Sequence, residues 1–211
     1  MDILSGPGLV EAIAEEINRE DLSATIPAWI RMAEAHIAQN LRVREMVRRQ
    51  HITASDGFVT LPTDFREMKS VRIDTGSGRP RTLFMATEDS ISDPRKAGTW
   101  ANHPMYFTIV GSEIELSPFP NGFTCDVQMT YFADLPVLDL VTANSTTWLL
   151  KKAPHLYFYA ALQHSAPYIM EDARLMMWQQ LTQDAIGSLN KEYDESIHSG
   201  STPIAPMKTI G

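Results

Sequence analysis

The sequence predicts an α+β protein, mainly α, in which N- and C-terminal helices form one bundle and a small antiparallel β lobe is inserted between them. Apolar residues recur at helical spacing in the first part of the chain and again in the last, and between these stretches they alternate with a period of two. The plan that follows is N-terminal helices over 1–49, a β lobe over 50–140, C-terminal helices over 141–198 and an extended tail over 199–211. A chain of 211 residues, 44% hydrophobic and 21% charged, can bury a core of its own without covalent staples.

Leu9, Val10, Ile13, Ala14 and Ile17 fall on one face of a first helix that runs to about Asn18. A second starts near Pro27, a residue suited to a first turn because it lacks an amide that would go unpaired there. Its stripe is Trp29, Ile30, Ala33, Ile37 and Leu41, with Arg31, Glu34 and Gln39 off it. After Arg49 the period shortens. Asp56-Gly57 and Gly76-Ser77-Gly78 mark turns between Phe58–Leu61 and Ser70–Asp74, and Gly111-Ser112 joins Met105–Val110 to Glu113–Ser117 in a tight hairpin. Phe123, Cys125, Val127, Met129 and Tyr131 alternate with Thr124, Asp126, Gln128 and Thr130, the pattern of a strand with one buried face.

The helical period returns after Asn144, where Asn144 or Ser145 can cap a helix beginning around Thr147-Trp148-Leu149-Leu150. Pro154 interrupts it, and a second piece runs from about His155 to Met170. Lys151 and Lys152 are the only charged side chains from Trp148 to Met170, so this stretch needs cover on most sides, from its own chain or a neighbour's. The last helix, about Asp172 to Ile197, places Leu175, Met176, Trp178, Leu181, Ala185, Leu189 and Tyr193 near one stripe. Two short N-terminal helices bury little alone, and the C-terminal helices have apolar surface to spare, so the two ends are expected to pack together. Ser199 to Gly211 has no period and reads as extended tail.

The formal net charge of −8 argues against a dedicated DNA binder, which needs surplus Lys and Arg, yet suits a surface that DNA slides past. A lone cysteine excludes an internal disulfide, no apolar run is long enough to span a membrane, and no signal peptide is visible. No Gly-rich phosphate loop is present, and His36, His51, His103, His155, His164 and His198 include no pair at zinc-binding helical spacing, so no metal or cofactor is expected. Cys125 belongs to the apolar face of its strand and reads as an inert thiol, and Glu171-Asp172 read as N-terminal carboxylates of the last helix. Arg42, Arg44, Arg48 and Arg49 form the strongest charge run, either the solvated end of a helix or charged contacts to a partner or to DNA. Trp148, Leu149, Tyr157 and Tyr159, at helical spacing, read as core or subunit packing rather than as a sugar or base platform.

Asn144-Ser145-Thr146-Thr147-Trp148-Leu149-Leu150, followed by Ala153-Pro154-His155-Leu156-Tyr157-Phe158-Tyr159-Ala160-Ala161-Leu162, resembles a run found in the head-to-tail adaptor (connector) proteins of tailed bacteriophages. Ala166-Pro167-Tyr168, Asp172-Ala173-Arg174 and Trp178 continue the likeness. Upstream, Ile26-Pro27-Ala28-Trp29-Ile30, Ala33-Glu34 and Leu41-Arg42 resemble the family's first long helix, and Leu61-Pro62-Thr63-Asp64-Phe65 its β-region opening. His155 departs from the pattern, which often has Asp there, and the tail after Ser199 matches no part of it.

The resemblance implies a non-enzymatic virion protein of the neck, made in the host cytoplasm and assembled as a dodecameric ring below the portal protein. Such a ring extends the DNA channel, passes genomic DNA through its lumen without sequence specificity and docks the tail or nozzle protein. In that setting Ser199, Pro203, Ile204, Pro206 and Met207 would belong to a portal-binding tail. The competing expectations are another ring-forming tail or connector component and a virion-associated peptidoglycan hydrolase, with a DNA-binding regulator behind them.

Overall fold

In the computed structural model, which describes residues 3–76, 78–92, 103–169 and 172–198, the chain divides into a helical unit (Met1–Glu45 with Leu135–Gly211) and a β unit (Met46–Asp134). The two ends of the chain therefore share one unit and the strands are an insertion. The insertion starts and ends a few residues earlier than the 50–140 pattern suggests.

Helix α1 (Gly6–Ile17) starts ahead of Leu9 because Ser5 Oγ accepts the Gly8 amide at 3.2 Å and Pro7 fills a first-turn position. Asn18, at φ +51°, ends it in the left-handed region. After a 3-10 stretch over Glu20–Thr25 comes α2 (Ile26–Asn40). Its stripe of Trp29, Ile30, Ala33 and Ile37, with Leu41 just beyond, is fully buried. Arg42 turns back on the helix end, where its guanidinium donates to the Ala38, Gln39 and Leu41 carbonyls at 3.4, 3.3 and 2.8 Å. A cation there offsets the negative end of the helix dipole. Asn190 fastens the same corner: its side-chain oxygen accepts the Arg42 amide at 2.8 Å and its amide donates to the Asn40 carbonyl at 2.9 Å.

Helix α4 (Trp148–Lys152) follows a short α3 (Glu88–Ser92) of the β unit and is capped by Thr147, whose Oγ1 accepts the Leu150 amide at 3.2 Å. Neither Asn144 nor Ser145 caps it. Asn144 sits at φ +60°, and the Ser145 hydroxyl is spent on the Asp139 carbonyl. Pro154 opens α5 (Pro154–Ile169), and α6 (Asp172–His198) completes the unit. Helix α5 packs against α1, α2, α4 and α6. Leu156, Tyr157, Ala160, Ala161, Leu162 and Ala166 are buried there, so the apolar girth of α5 is covered within its own chain and not by sister copies. On α6 the buried residues are Trp178, Thr182, Ala185, Ile186 and Leu189; Met176, expected on that stripe, is 76% exposed.

Glu34 departs most from expectation. Placed by pattern on the polar side of α2, it is buried. One carboxylate oxygen accepts the Leu138 amide at 2.8 Å and the other accepts from the Arg31 guanidinium at 2.7 Å. Leu138 lies on the segment that re-enters the helical unit after the β insertion. Gly6 holds that segment from the other side, donating to the Ser145 carbonyl at 2.8 Å; a side chain at Gly6 would strike the Asp139 carbonyl. Asp139 folds the segment by accepting the Val141 and Thr142 amides at 2.9 and 3.2 Å. Burial, with the charge of Glu34 adding to it, pushes the Tyr157 phenol well above its ordinary range.

Two histidines distant in sequence also meet in this unit. His36 of α2 and His164 of α5 stand edge to face with ring centroids 6.5 Å apart, and His164 Nε2 is buried without a hydrogen-bond partner among the described residues. Burial, and then the neighbouring His36, lower the His164 pKa.

The β unit holds β1 (Val47–Ala54), β2 (Phe58–Thr60), β3 (Phe65–Asp74), β4 (Arg81–Thr82), β5 (Phe84–Met85), β6 (Tyr106–Val110), β7 (Glu113–Ser117) and β8 (Cys125–Ala133). They form two sheets ordered β1-β8-β3-β4 and β2-β7-β6-β5, antiparallel except for the β5–β6 pair. Both sheets contribute to one core, including Val71, Ile73, Phe107, Ile114, Leu116, Val127 and Met129. Strand β8 is central to its sheet, and Cys125, Val127, Met129 and Tyr131 are buried as the alternation requires. Gly111, at φ +59°, turns the β6–β7 hairpin. Strand β1 begins at Val47, so Arg48 and Arg49 are strand residues and not the end of a helix.

Two outcomes follow for the helical unit. Glu34→Ala leaves the Leu138 amide unpaired and is expected to cost about 2 kcal/mol in urea denaturation. Glu34→Gln, which keeps an acceptor there, should cost less. For His164, the unfolded imidazole titrates near about pH 6.5 while the folded one titrates lower, so the unfolded chain takes the proton first. Stability should therefore decline as pH falls below about 6.5, and His164→Phe should flatten that decline in melts between about pH 6.5 and 5.

Candidate interaction surfaces

The four sequence-selected apolar residues separate into two pairs. Leu149 and Tyr157 are fully buried inside the helical unit and cannot touch another subunit in this conformation; they are core. Trp148 at the start of α4 and Tyr159 on α5 are half-buried and keep a face to solvent, with Tyr159 set edge to face against Phe158 at 5.6 Å. Other apolar surface in this unit lies at Tyr168, Met176 and Met177, all more than half exposed. Tyr168 also packs its ring against buried Trp29 at 5.3 Å.

The four arginines separate as well. Arg42 is used in ending α2. Arg44 is exposed in a 3-10 turn over Arg44–Met46 beside a cleft of about 240 Å³, lined also by Glu45, Lys152, Glu192 and Tyr193. Across that cleft Lys152 Nζ donates to Glu45 at 3.1 Å and to Glu192 at 3.0 Å. Burial works against the Lys152 charge, but the two carboxylates outweigh it and raise the pKa. This pair of bonds ties the last helix to the residue at which the chain leaves the helical unit. In the sequence Lys152 stands beside Lys151 in an otherwise uncharged apolar stretch, with no sign of its partners.

In the β unit, Arg48 lies 3.5 Å from Asp64, which also accepts the Tyr131 hydroxyl at 2.9 Å. Burial, then this bond to Asp64, push the Tyr131 phenol up to about 12. Phe65 stacks on Tyr131 at 5.7 Å, and the Asp64 carbonyl accepts the Asp134 amide at 2.8 Å. Arg49 projects from β1 beside His51, whose Nδ1 donates to Asp126 at 3.1 Å while Nε2 accepts from the Gln128 amide at 3.3 Å. Apolar residues are exposed at Phe58, Phe84 and Met85 on the second sheet.

Cys125 is buried, and burial raises its thiol to about 11, which leaves it protonated and unreactive at neutral pH. Among the described residues no three His, Cys, Asp or Glu side chains gather as metal ligands, and no helix is long and apolar enough to cross a membrane. Ser199, Pro203, Ile204, Pro206 and Met207, and with them Glu171, lie outside the described residues.

What the geometry presents is a set of ties that hold each of the two units in shape and several partly exposed surfaces. Comparison with curated proteins gave no match. A family model described as SU10 adaptor protein matches residues 7–206, covering both units and agreeing with the likeness to phage head-to-tail adaptors. With nearly its whole length matched, the chain belongs to the SU10 adaptor protein family.

Proposed function

We propose that the chain is a structural, non-enzymatic component of the phage neck that assembles as a dodecameric ring below the portal, extends the DNA channel and docks the tail or nozzle. The observation that carries this reading is the family match across both the helical unit and the β insertion. The net charge of −8 supports it, because an acidic wall repels DNA phosphates and lets the genome pass without sticking. The half-buried Trp148 and Tyr159 supply subunit contacts, exposed Arg44 and Arg49 supply charged ones, and Ser199–Gly211 reaches the portal. The protein is made in the host cytoplasm and carried in the particle. The pure protein is monomeric, and the ring forms on its portal template, since a contact too weak alone is populated when a partner binds it.

Electron microscopy of the protein mixed with its portal should show a closed ring of this chain on the portal; separate portals and monomers would refute the reading. Tyr159→Asp should empty the ring while shifting stability by no more than about 1 kcal/mol, because it removes a solvent-facing contact. Deleting Ser199–Gly211 should abolish portal binding in co-sedimentation and leave the melting temperature unchanged.

A further inference from the structure

Among the described residues, the edges of the two sheets of the β unit differ in how much strand they offer a neighbour. Strands β4 and β5 have two residues each and β2 has three, too short to template a neighbour. Strand β3, beyond its brief pairing with β4, has register shifts at Phe65/Glu67 and Met68/Ser70, and such bulges disrupt further pairing. Strand β1 is different. It runs for eight residues, Val47–Ala54, pairs with β8 without a register shift, contains no Gly or Pro, and is the terminal strand of its sheet. One row of its backbone amides and carbonyls therefore faces away from β8, with no strand of the described residues beside it.

Side chains decide what can lie there. A strand added to β1 sets its own residues opposite Arg48, Arg49 and His51, all exposed. Opposite charges across a strand pair stabilise it and like charges destabilise it. A second copy's β1 carries no carboxylate and, paired antiparallel over its full length, sets only Thr53 and Ile52 opposite Arg48 and Arg49, so it offers these cations nothing. A basic segment is excluded by its like charge. Arg49 has no ion pair among the described residues, Arg48 holds Asp64 only at 3.5 Å, and both can turn to an incoming carboxylate.

We propose that the outer edge of β1 is an acceptor site for an extended acidic segment of another protein, bound by strand addition. Backbone hydrogen bonds supply the register, and carboxylates on the face of Arg48 or of Arg49 supply the selectivity. The proposal concerns the β unit alone and stands whether or not the chain forms a ring.

The test uses the full-length protein at neutral pH and end-blocked ten-residue peptides. The probes are an alternating Glu-Val peptide, its copy N-methylated at alternate residues, and an alternating Lys-Val peptide, with a short DNA duplex as a further arm. The Glu-Val peptide should bind saturably and slow hydrogen exchange over Val47–Ala54. N-methylation and the Lys-Val sequence should each weaken binding at least tenfold. The double variant Arg48→Glu, Arg49→Glu should reverse the preference toward Lys-Val. Should the double variant fail to fold, Arg49→Glu alone must still weaken Glu-Val binding several-fold. Absence of Glu-Val binding, binding indifferent to N-methylation, or arginine-dependent binding of the duplex in place of the peptide would each overturn the proposal.

Discussion

A buried carboxylate accepting a backbone amide from the far side of an insertion sets the conditions for the rest of this molecule. Glu34 is on the second helix; Leu138, whose amide it accepts, comes after the whole β unit. A carboxylate taken from water costs several kcal/mol unless its oxygens are occupied, so Glu34 tolerates burial only with Leu138 on one oxygen and Arg31 on the other. The cost is also what gives the contact its selectivity: a chain re-entering in another register leaves the charge uncompensated. Closing so long an insertion costs entropy that grows only slowly with its length, and a few such ties are enough to offset it. Gly6 against Asp139, and the Gly6 amide on the Ser145 carbonyl, fix the next part of the same segment. That leads the chain to Thr147, which starts α4.

The residues that carry the family likeness turn out to be ties of this kind. In Leu61-Pro62-Thr63-Asp64-Phe65, the Asp64 carboxylate receives Tyr131, its carbonyl receives the Asp134 amide, and Phe65 covers the Tyr131 ring. These contacts join the start of β3 to the end of β8, where the chain leaves the β unit. In the last two helices Tyr168 packs on Trp29, and Arg174 of α6 approaches Glu16 of α1 at 3.7 Å. The arginine pair is half exposed and screened, so its contribution is small; the aromatic contact is the stronger of the two. A pattern of this sort records how the scaffold is closed.

The fold was legible where one physical rule dominated. Strand β8 has one buried face and one partly wet face, and its alternation showed this; α2 buries one stripe, and its period showed that. The rule failed where position in the sheet or a distant partner decided. Strand β1 is an edge strand, so adjacent Arg48 and Arg49 can both reach water and no alternation appears. Glu34 was placed outside by its charge, because nothing local announces that Leu138 will supply a donor. His36 and His164 escaped a search limited to helical spacing, since their meeting depends on how α2 packs against α5. Of the candidate contact residues, the sequence could establish that Tyr157 needs cover but not whose atoms provide it. The answer is helices of the same chain, which makes Tyr157 and Leu149 core.

That reassignment bears on how such a chain assembles. A protomer that left a fully apolar helix open would depend on neighbours to fold, and its interface would resemble a core cut in half. Here Leu156, Tyr157, Ala160, Ala161 and Leu162 of α5 are already covered by the same chain, so folding does not wait for a neighbour. In the proposed ring, contacts between copies would draw on partly exposed aromatics such as Trp148 and Tyr159 and on charged side chains such as Arg44. Interfaces of that composition are wetter and weaker for each unit of area than obligate ones. In such a proposed ring closure would compensate, because every copy uses both of its contacts and none is left at an end. A template that gathers the copies raises their local concentration and makes a weak pairwise contact sufficient. On the proposed reading, copies whose pairwise contacts are weak stay dispersed until a template gathers them, and the order of assembly then follows from the strength of the contacts.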